Sequence, residues 1–142
     1  FVRYAEVSGF IDHVLQQCRH TGYATTILGR RRAITGIRPQ RYPTLNLPER
    51  TAVNTVIQGS AADLIKQAMI NVHRRLRDES SRGRLLLQIH DELVFEAPAD
   101  AVPELVQLAA QEMESALELD VPIVVDVSVG DNWLHTEPFA DR

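Results

Sequence analysis

Two short apolar runs, Leu85–Ile89 and Leu93–Ala97, are separated only by His90, Asp91 and Glu92. A parallel pairing needs a crossover of a dozen or more residues, so runs this close must form an antiparallel hairpin. Tight hairpin turns normally carry Asn-Gly or Asp-Gly, whose backbones accept a positive φ. This one has no glycine. The chain therefore commits to a β-hairpin with a histidine and two adjacent carboxylates at its tip. Acidic residues in a turn are by themselves ordinary solvated surface. On a rigid tip they are also placed to hold a hard cation through oxygen. Phosphohydrolases built on a His-Asp dyad carry further upstream histidines on helices, and His13, His20 and His73 show no such arrangement.

The hairpin sits among helical patterns. Tyr4, Val7, Ile11, Val14, Leu15 and Cys18 recur at helical spacing, and Thr21-Gly22 supplies a stop. Tyr23–Leu28 reads as a short strand or extended piece. Gly29–Pro48, with Gly36, Pro39 and Pro43, reads as loop. A long helix is predicted next, its apolar stripe running from Val53 and Ile57 through Ile65, Ala68 and Val72 to Leu76. Pro48 fits a first helical turn, so the helix starts there. Arg74, Arg75 and Arg77 suit the negative end of its dipole.

Asp78–Gly83 reads as a polar turn. After the hairpin, Val102, Leu105, Val106, Ala109, Met113, Ala116 and Leu117 predict another amphipathic helix. Val121, Ile123, Val125, Val127 and Val129 alternate as a third strand. Trp133 and Phe139 are expected to anchor the tail. The order helix, loop, helix, hairpin, helix, strand predicts an α+β fold, with an antiparallel sheet and its hairpin packed against long helices.

The chain has 142 residues, enough for one domain, and 44% hydrophobic with 24% charged content excludes disorder. No apolar run approaches the ~18 residues that cross a bilayer, which excludes an integral membrane protein. The single cysteine, Cys18, allows no internal disulfide, and no Cys/His cluster has zinc-ligand spacing; a reducing compartment fits. The chain opens at Phe1 directly in helix-like sequence, without an initiator methionine or leader pattern, as expected of a piece of something larger. Its net charge of −4 conceals a split. Residues 1–84 carry 14 basic and 6 acidic side chains, while residues 85–142 carry one basic and 13 acidic ones. Such a division suits a polyanion on one part and cations on the other.

Two basic or polar segments supply the donors. Arg50, Asn54 and Gln58, spaced i, i+4, i+8, line one side of the long helix's start. Their side chains donate to phosphate oxygens, sugars and base edges. Gly59, Ser60, Ala61 and Ala62 after them are small enough for another backbone or a nucleic-acid strand to approach closely. A polar face with a tightly packed opposite side would read the same way. Asp63 caps or pairs locally and is assigned no role. Gly29-Arg30-Arg31-Arg32 offers planar guanidinium forks for phosphate, although a basic run alone is commonly a solvated turn.

Taken together, Gly22-Tyr23 with Thr26–Arg32, Glu49-Arg50 with Asn54, Gln58–Asp63 and Gln88–Glu96 stand in an order and spacing that resemble the C-terminal part of family A DNA polymerases, the bacterial DNA polymerase I family. The closing Asp120-Val121-Pro122 and Gly130-Asp131-Asn132-Trp133 are similar too, so the likeness covers essentially the whole chain. It implies part of a polymerase palm: a helix and extended piece over 1–28, a basic loop over 29–48, a DNA-contacting helix over 49–77, the hairpin over 84–97, and a helix, strand and tail over 98–142.

By the same resemblance, Asp91 is one of two carboxylates that hold catalytic metals, Glu92 an accessory acid and metal neighbour, and His90 a residue beside the primer terminus. Arg50, Asn54 and Gln58 contact template and primer, and Arg30, Arg31 and Arg32 lie near primer-template phosphates. The implied activity is DNA-directed DNA synthesis in replication and repair, by attack of a primer 3′-hydroxyl on a nucleotide α-phosphate. Two Mg2+ ions, or Mn2+, are the implied cofactors. The implied partners are primer-template DNA, deoxynucleoside triphosphates and a missing N-terminal part of the polymerase. No membrane is involved, and the implied location is a bacterial cytoplasm beside nucleoid DNA.

The sequence also departs from the family. Pro43 and Asn46-Leu47-Pro48 replace helix-forming residues, in a loop that also holds Arg38 and Arg41. No Asp-Tyr-Ser-Gln-Ile-Glu-Leu-Arg-like strand, which bears the family's first metal-binding aspartate, and no fingers helix occur in these 142 residues. The chain alone is therefore expected to be inactive. The alternative is a non-catalytic nucleic-acid-binding module that keeps this fold.

Overall fold

Helix α1 (Ala5–Thr21) ends where Gly22 turns left-handed at φ 77°, and the Gly22 amide closes on the Cys18 carbonyl at 2.8 Å. The computed structural model describes residues 4–40, 42–78 and 82–139; Arg41 and residues 79–81 of the expected polar turn lie outside the described residues. The chain forms two units, Phe1–Asp63 and Leu64–Arg142.

In the first unit, strand β1 (Tyr23–Thr25) pairs antiparallel with β2 (Arg31–Ala33), in the register Tyr23↔Ala33, Ala24↔Arg32, Thr25↔Arg31. The stretch expected to be loop thus contains a strand, because Arg31–Ala33 finds a ladder partner that local composition does not reveal. Val14, Leu15 and Cys18 of α1 pack with Ala24, Ile34, and Ala52 and Val53 of helix α2 (Leu47–Asp78). The Cys18 thiol donates to the Tyr23 carbonyl at 3.1 Å, and burial pushes its pKa up, as suits a packing residue.

Helix α2 starts on a capping box, one residue before the predicted Pro48. Asn46 Oδ1 accepts the Glu49 N–H at 2.9 Å, and Glu49 Oε2 accepts the Asn46 N–H at 2.9 Å. Pro48 stands in the first turn, where a missing N–H is harmless.

The second unit packs Val72 and Leu76 of α2 with Leu105 and Leu108 of helix α3 (Val102–Glu114), and with Phe95, Ala97 and Met113. Phe95 belongs to β4 (Glu92–Glu96), which pairs antiparallel with β3 (Arg84–Ile89), so the hairpin lies against helices as expected. A register shift between Leu85 and Leu87 leaves Leu86 outside the ladder.

The C-terminal expectations change. The predicted strand over 121–129 is irregular as far as Val127; β5 (Ser128–Asn132) pairs instead with β6 (His135–Pro138). Val121 and Val124 are 71% and 73% exposed. Alternation describes a face, but a strand also needs a ladder partner, and among the described residues no backbone ladder lies beside 121–126. The fold is α+β, with three separate two-stranded antiparallel sheets among the described residues. Helix α3 ends at Glu114, before Ala116 and Leu117. Trp133 sits in the β5–β6 turn at 57% exposed, whereas Phe139 is half-buried and donates its amide to the Val127 carbonyl at 2.9 Å. Among the described residues, no helix is long and apolar enough to cross a membrane.

Candidate nucleic-acid interface and acidic hairpin tip

In the first unit, helix α2 turns Ala52 and Val53 into the core and leaves Arg50, Asn54 and Gln58 exposed. The i, i+4, i+8 set thus shares one open side of α2. Their side chains make no hydrogen bond or ion pair among the described residues. Arg31 and Arg32, also exposed, stand on β2, and Arg32 Nη1 donates to Thr55 Oγ1 on α2 at 3.4 Å. The three arginines of the basic run are not equivalent. Arg30 donates Nε to Asp63 and Nη2 to the Gly59 carbonyl at 2.9 Å, so its fork is engaged on α2.

The Gly59–Asp63 segment approaches its own chain closely. A Cβ on Gly59 would stand 2.5 Å from Thr26 Cγ2, a separation side chains do not tolerate. Ser60 Oγ accepts the Ile27 N–H at 2.9 Å while donating to the Val56 carbonyl at 2.5 Å. Asp63 is 3% exposed and accepts the Leu28 N–H at 3.2 Å as well as Arg30 Nε. Burial raises the Asp63 pKa, but hydrogen bonds from Thr26, Arg30 and Leu28 and the Arg30 charge outweigh it, so the carboxyl lies below its ordinary range. Sequence reasoning left Asp63 without a role. The signal was an acid one turn beyond a Gly-Ser pair, opposite a threonine-bearing turn.

A second buried acid also escaped that reading. Glu49 is 1% exposed and receives Arg38 through Nε at 3.1 Å and through Nη2. Arg38 also donates Nη2 to the Thr44 carbonyl at 2.6 Å and stacks 4.2 Å from the Tyr42 ring centroid. Arg19 donates Nε to the Arg38 carbonyl at 2.8 Å, and its Nη2 lies 3.9 Å from Glu49 Oε1. The side-chain hydrogen bond from Arg38 holds the Glu49 carboxyl below its ordinary range against burial. The proline-containing loop is thereby tied to the start of α2, next to Arg50.

In the second unit, Ile89 pairs with Glu92, so the hairpin turn is only His90-Asp91, and Glu92 is the first residue of β4. His90 takes φ 52°, the left-handed region that hairpin turns normally give to Gly or Asn. A non-glycine residue there costs on the order of 1–2 kcal/mol. Gln88 Nε2 braces the turn by donating to the His90 carbonyl at 2.7 Å. Asp91 and Glu92 are exposed, with no ion-pair or hydrogen-bond partner among the described residues. Two open carboxylates fit part of a hard-cation site. Among the described residues no group of three or more His, Cys, Asp or Glu side chains converges to complete one.

These features match a known family. Residues 1–135 match the family model described as DNA polymerase family A. The chain is 44% identical over 133 residues to DNA polymerase I of Geobacillus stearothermophilus, covering 94% of this chain and 15% of that protein. It is 43% identical over 141 residues to DNA polymerase I of Chloroflexus aurantiacus, covering 99% of this chain and 15% of that protein. Among solved structures, it resembles the POL domain of Pol1 from M. smegmatis in complex with DNA primer-template and dNTP. That likeness has a TM-score of 0.77 and 44% identity, over 86% of this chain and 22% of the other.

The chain belongs to DNA polymerase family A. It spans about 15% of the length of the curated relatives it matches.

Proposed function

We propose that this chain is the C-terminal palm segment of a DNA-directed DNA polymerase, extending a primer 3′ end with deoxynucleotides in replication and repair. The observation that carries the reading is the hairpin tip: a two-residue turn with His90 held left-handed and two open carboxylates beside it. Strain of this kind concentrates where a side chain must be aimed.

In this reading Asp91 and Glu92 are oxygen ligands for Mg2+, with Mn2+ an acceptable substitute, and His90 lies beside the primer terminus. Bound metal ions supply Lewis-acid activation of the 3′-hydroxyl and charge neutralisation at the leaving pyrophosphate. The two carboxylates are too few for a two-ion site. A further one must come from elsewhere in the polymerase, since the sequence has no second aspartate-bearing motif of the family. The isolated 142 residues are therefore inactive. Arg50, Asn54 and Gln58 meet template and primer from the open side of α2, and Arg31 and Arg32 lie along the phosphates, while Arg30, expected there too, has its fork engaged on Asp63 and Gly59. Deoxynucleoside triphosphates, primer-template DNA and the rest of the polymerase are the partners.

The test is Asp91→Ala in a complete polymerase that carries this chain. Primer extension should fall by orders of magnitude while duplex affinity stays within about twofold. Lost duplex binding would mean that Asp91 serves the fold instead. Primer extension by the isolated chain, supplied with Mg2+ and nucleotides, would refute its inactivity.

A further inference from the structure

The arginine run and the polar face of α2 stand on different elements, and one buried carboxylate joins them. We infer that Asp63 is a positioning residue that, with Gly59 and Ser60, seats the 26–30 turn on α2 and so sets Arg31 and Arg32 beside Asn54 and Gln58 as one nucleic-acid-facing surface. The inference deepens the polymerase reading and rests on it for the identity of the ligand.

The geometry is specific. Asp63 takes the Leu28 amide and Arg30 Nε; Ser60 takes the Ile27 amide; the Gly59 carbonyl takes Arg30 Nη2. The turn also closes on itself. Thr26 donates its amide to the Arg30 carbonyl at 2.9 Å and accepts the Arg30 amide on Oγ1 at 3.0 Å. Arg30 is therefore a strut between the turn and α2, and the next two residues of β2 carry the outward charge. Thr25↔Arg31 and Ala24↔Arg32 pairing fixes which residues those are. Arg32 reaches α2 at Thr55, next to Asn54. Without the seat, β2 would keep its ladder with β1 but lose its register against α2.

The same residues explain why α2 carries a glycine in its interior. Glycine is unfavourable in a helix relative to alanine, yet any Cβ at position 59 would meet Thr26 Cγ2 at 2.5 Å. Of the small residues in this segment, Gly59 and Ser60 thus admit the chain's own turn, the close backbone approach expected of them.

The experiment compares Asp63→Asn, Arg32→Gln, their double variant and Arg50→Ala in a complete polymerase that carries this chain. Binding of a fluorescent primer-template duplex is followed by anisotropy, and amide hydrogen exchange is read at Ile27 and Leu28. Asp63→Asn should weaken duplex binding about threefold to tenfold, as expected for one lost phosphate contact. Adding Arg32→Gln to it should weaken binding no further, because the contact is already misplaced. The Leu28 amide should exchange at least about tenfold faster in Asp63→Asn and keep its protection in Arg50→Ala.

Should Asp63→Asn not fold, Gly59→Ala tests the seat without touching a charge. It should weaken duplex binding and expose the Ile27 and Leu28 amides, and Thr26→Ser, which removes Cγ2 and keeps Oγ1, should restore both. Additive losses for Asp63→Asn and Arg32→Gln, an unchanged Leu28 amide, or no rescue by Thr26→Ser would each overturn the inference alone. Duplex binding indifferent to every variant, Arg50→Ala included, would instead overturn the nucleic-acid reading on which it rests.

Discussion

Asn46 and Glu49 cap one another: each backbone N–H at the start of helix α2 is accepted by the other's side chain at 2.9 Å. The Glu49 carboxylate also receives Arg38, so one buried acid both starts the helix and ties down the loop before it. Arg50, the next residue, inherits its place from that arrangement.

Removing the cap should cost less than removing its hub. Asn46→Ala should destabilise the chain by about 1 kcal/mol, the usual value of an N-cap. Glu49→Ala should be worse, because Arg38 and Arg19 then lose their carboxylate as well. Urea unfolding of the two variants would check the order. Equal midpoints would mean that the Arg38 contact contributes nothing.

Acid should loosen this part of the chain. Glu49 and Asp63 both have folded-state pKa values below their ordinary ones. A depressed carboxyl binds fewer protons folded than unfolded, so its stabilisation is full above the unfolded pKa and is lost as pH falls through the folded one. Stability should therefore decline from about pH 4 downward, the ordinary Asp and Glu carboxyl values, about 3.9 and 4.3, marking the start. Glu49→Gln and Asp63→Asn should each flatten that decline. Parallel acid-unfolding curves for wild type and variants would contradict it.

Arg50→Ala should weaken duplex binding, and if Arg50 meets a phosphate the slope of log affinity against log salt should fall by roughly one ion. Weaker binding at an unchanged slope would place Arg50 against a base edge or sugar instead. Titrations at several salt concentrations separate the two.

His90→Gly should raise thermal stability while lowering primer extension in a complete polymerase carrying this chain. Glycine removes the penalty of φ 52°, on the order of 1 kcal/mol. The side chain proposed to lie beside the primer terminus is lost with it. Higher stability with full extension would show that the histidine matters only as a turn residue.

The long helix, the antiparallel hairpin and its acidic tip were legible because each is local: a 3.6-residue stripe, two apolar runs and a connector too short for a crossover. The open side of α2 was legible for the same reason, since Arg50, Asn54 and Gln58 share one side at helical spacing. The valine alternation over 121–129 misled, because a period of two describes a face without supplying its partner. Trp133 misled similarly: its size implied burial, and the β5–β6 turn exposed it.

By itself, then, the sequence determined the α+β class, the hairpin with His90, Asp91 and Glu92, and the motif order shared with DNA polymerase family A. Only the tertiary structure decided that Arg30 turns inward to Asp63 while Arg31 and Arg32 face out, and that Arg38 reaches back to Glu49. The physical reason is range. Backbone pattern repeats within a few residues, whereas a buried carboxylate takes whichever cation the folded chain brings to it, 33 residues away for Asp63 and 11 for Glu49.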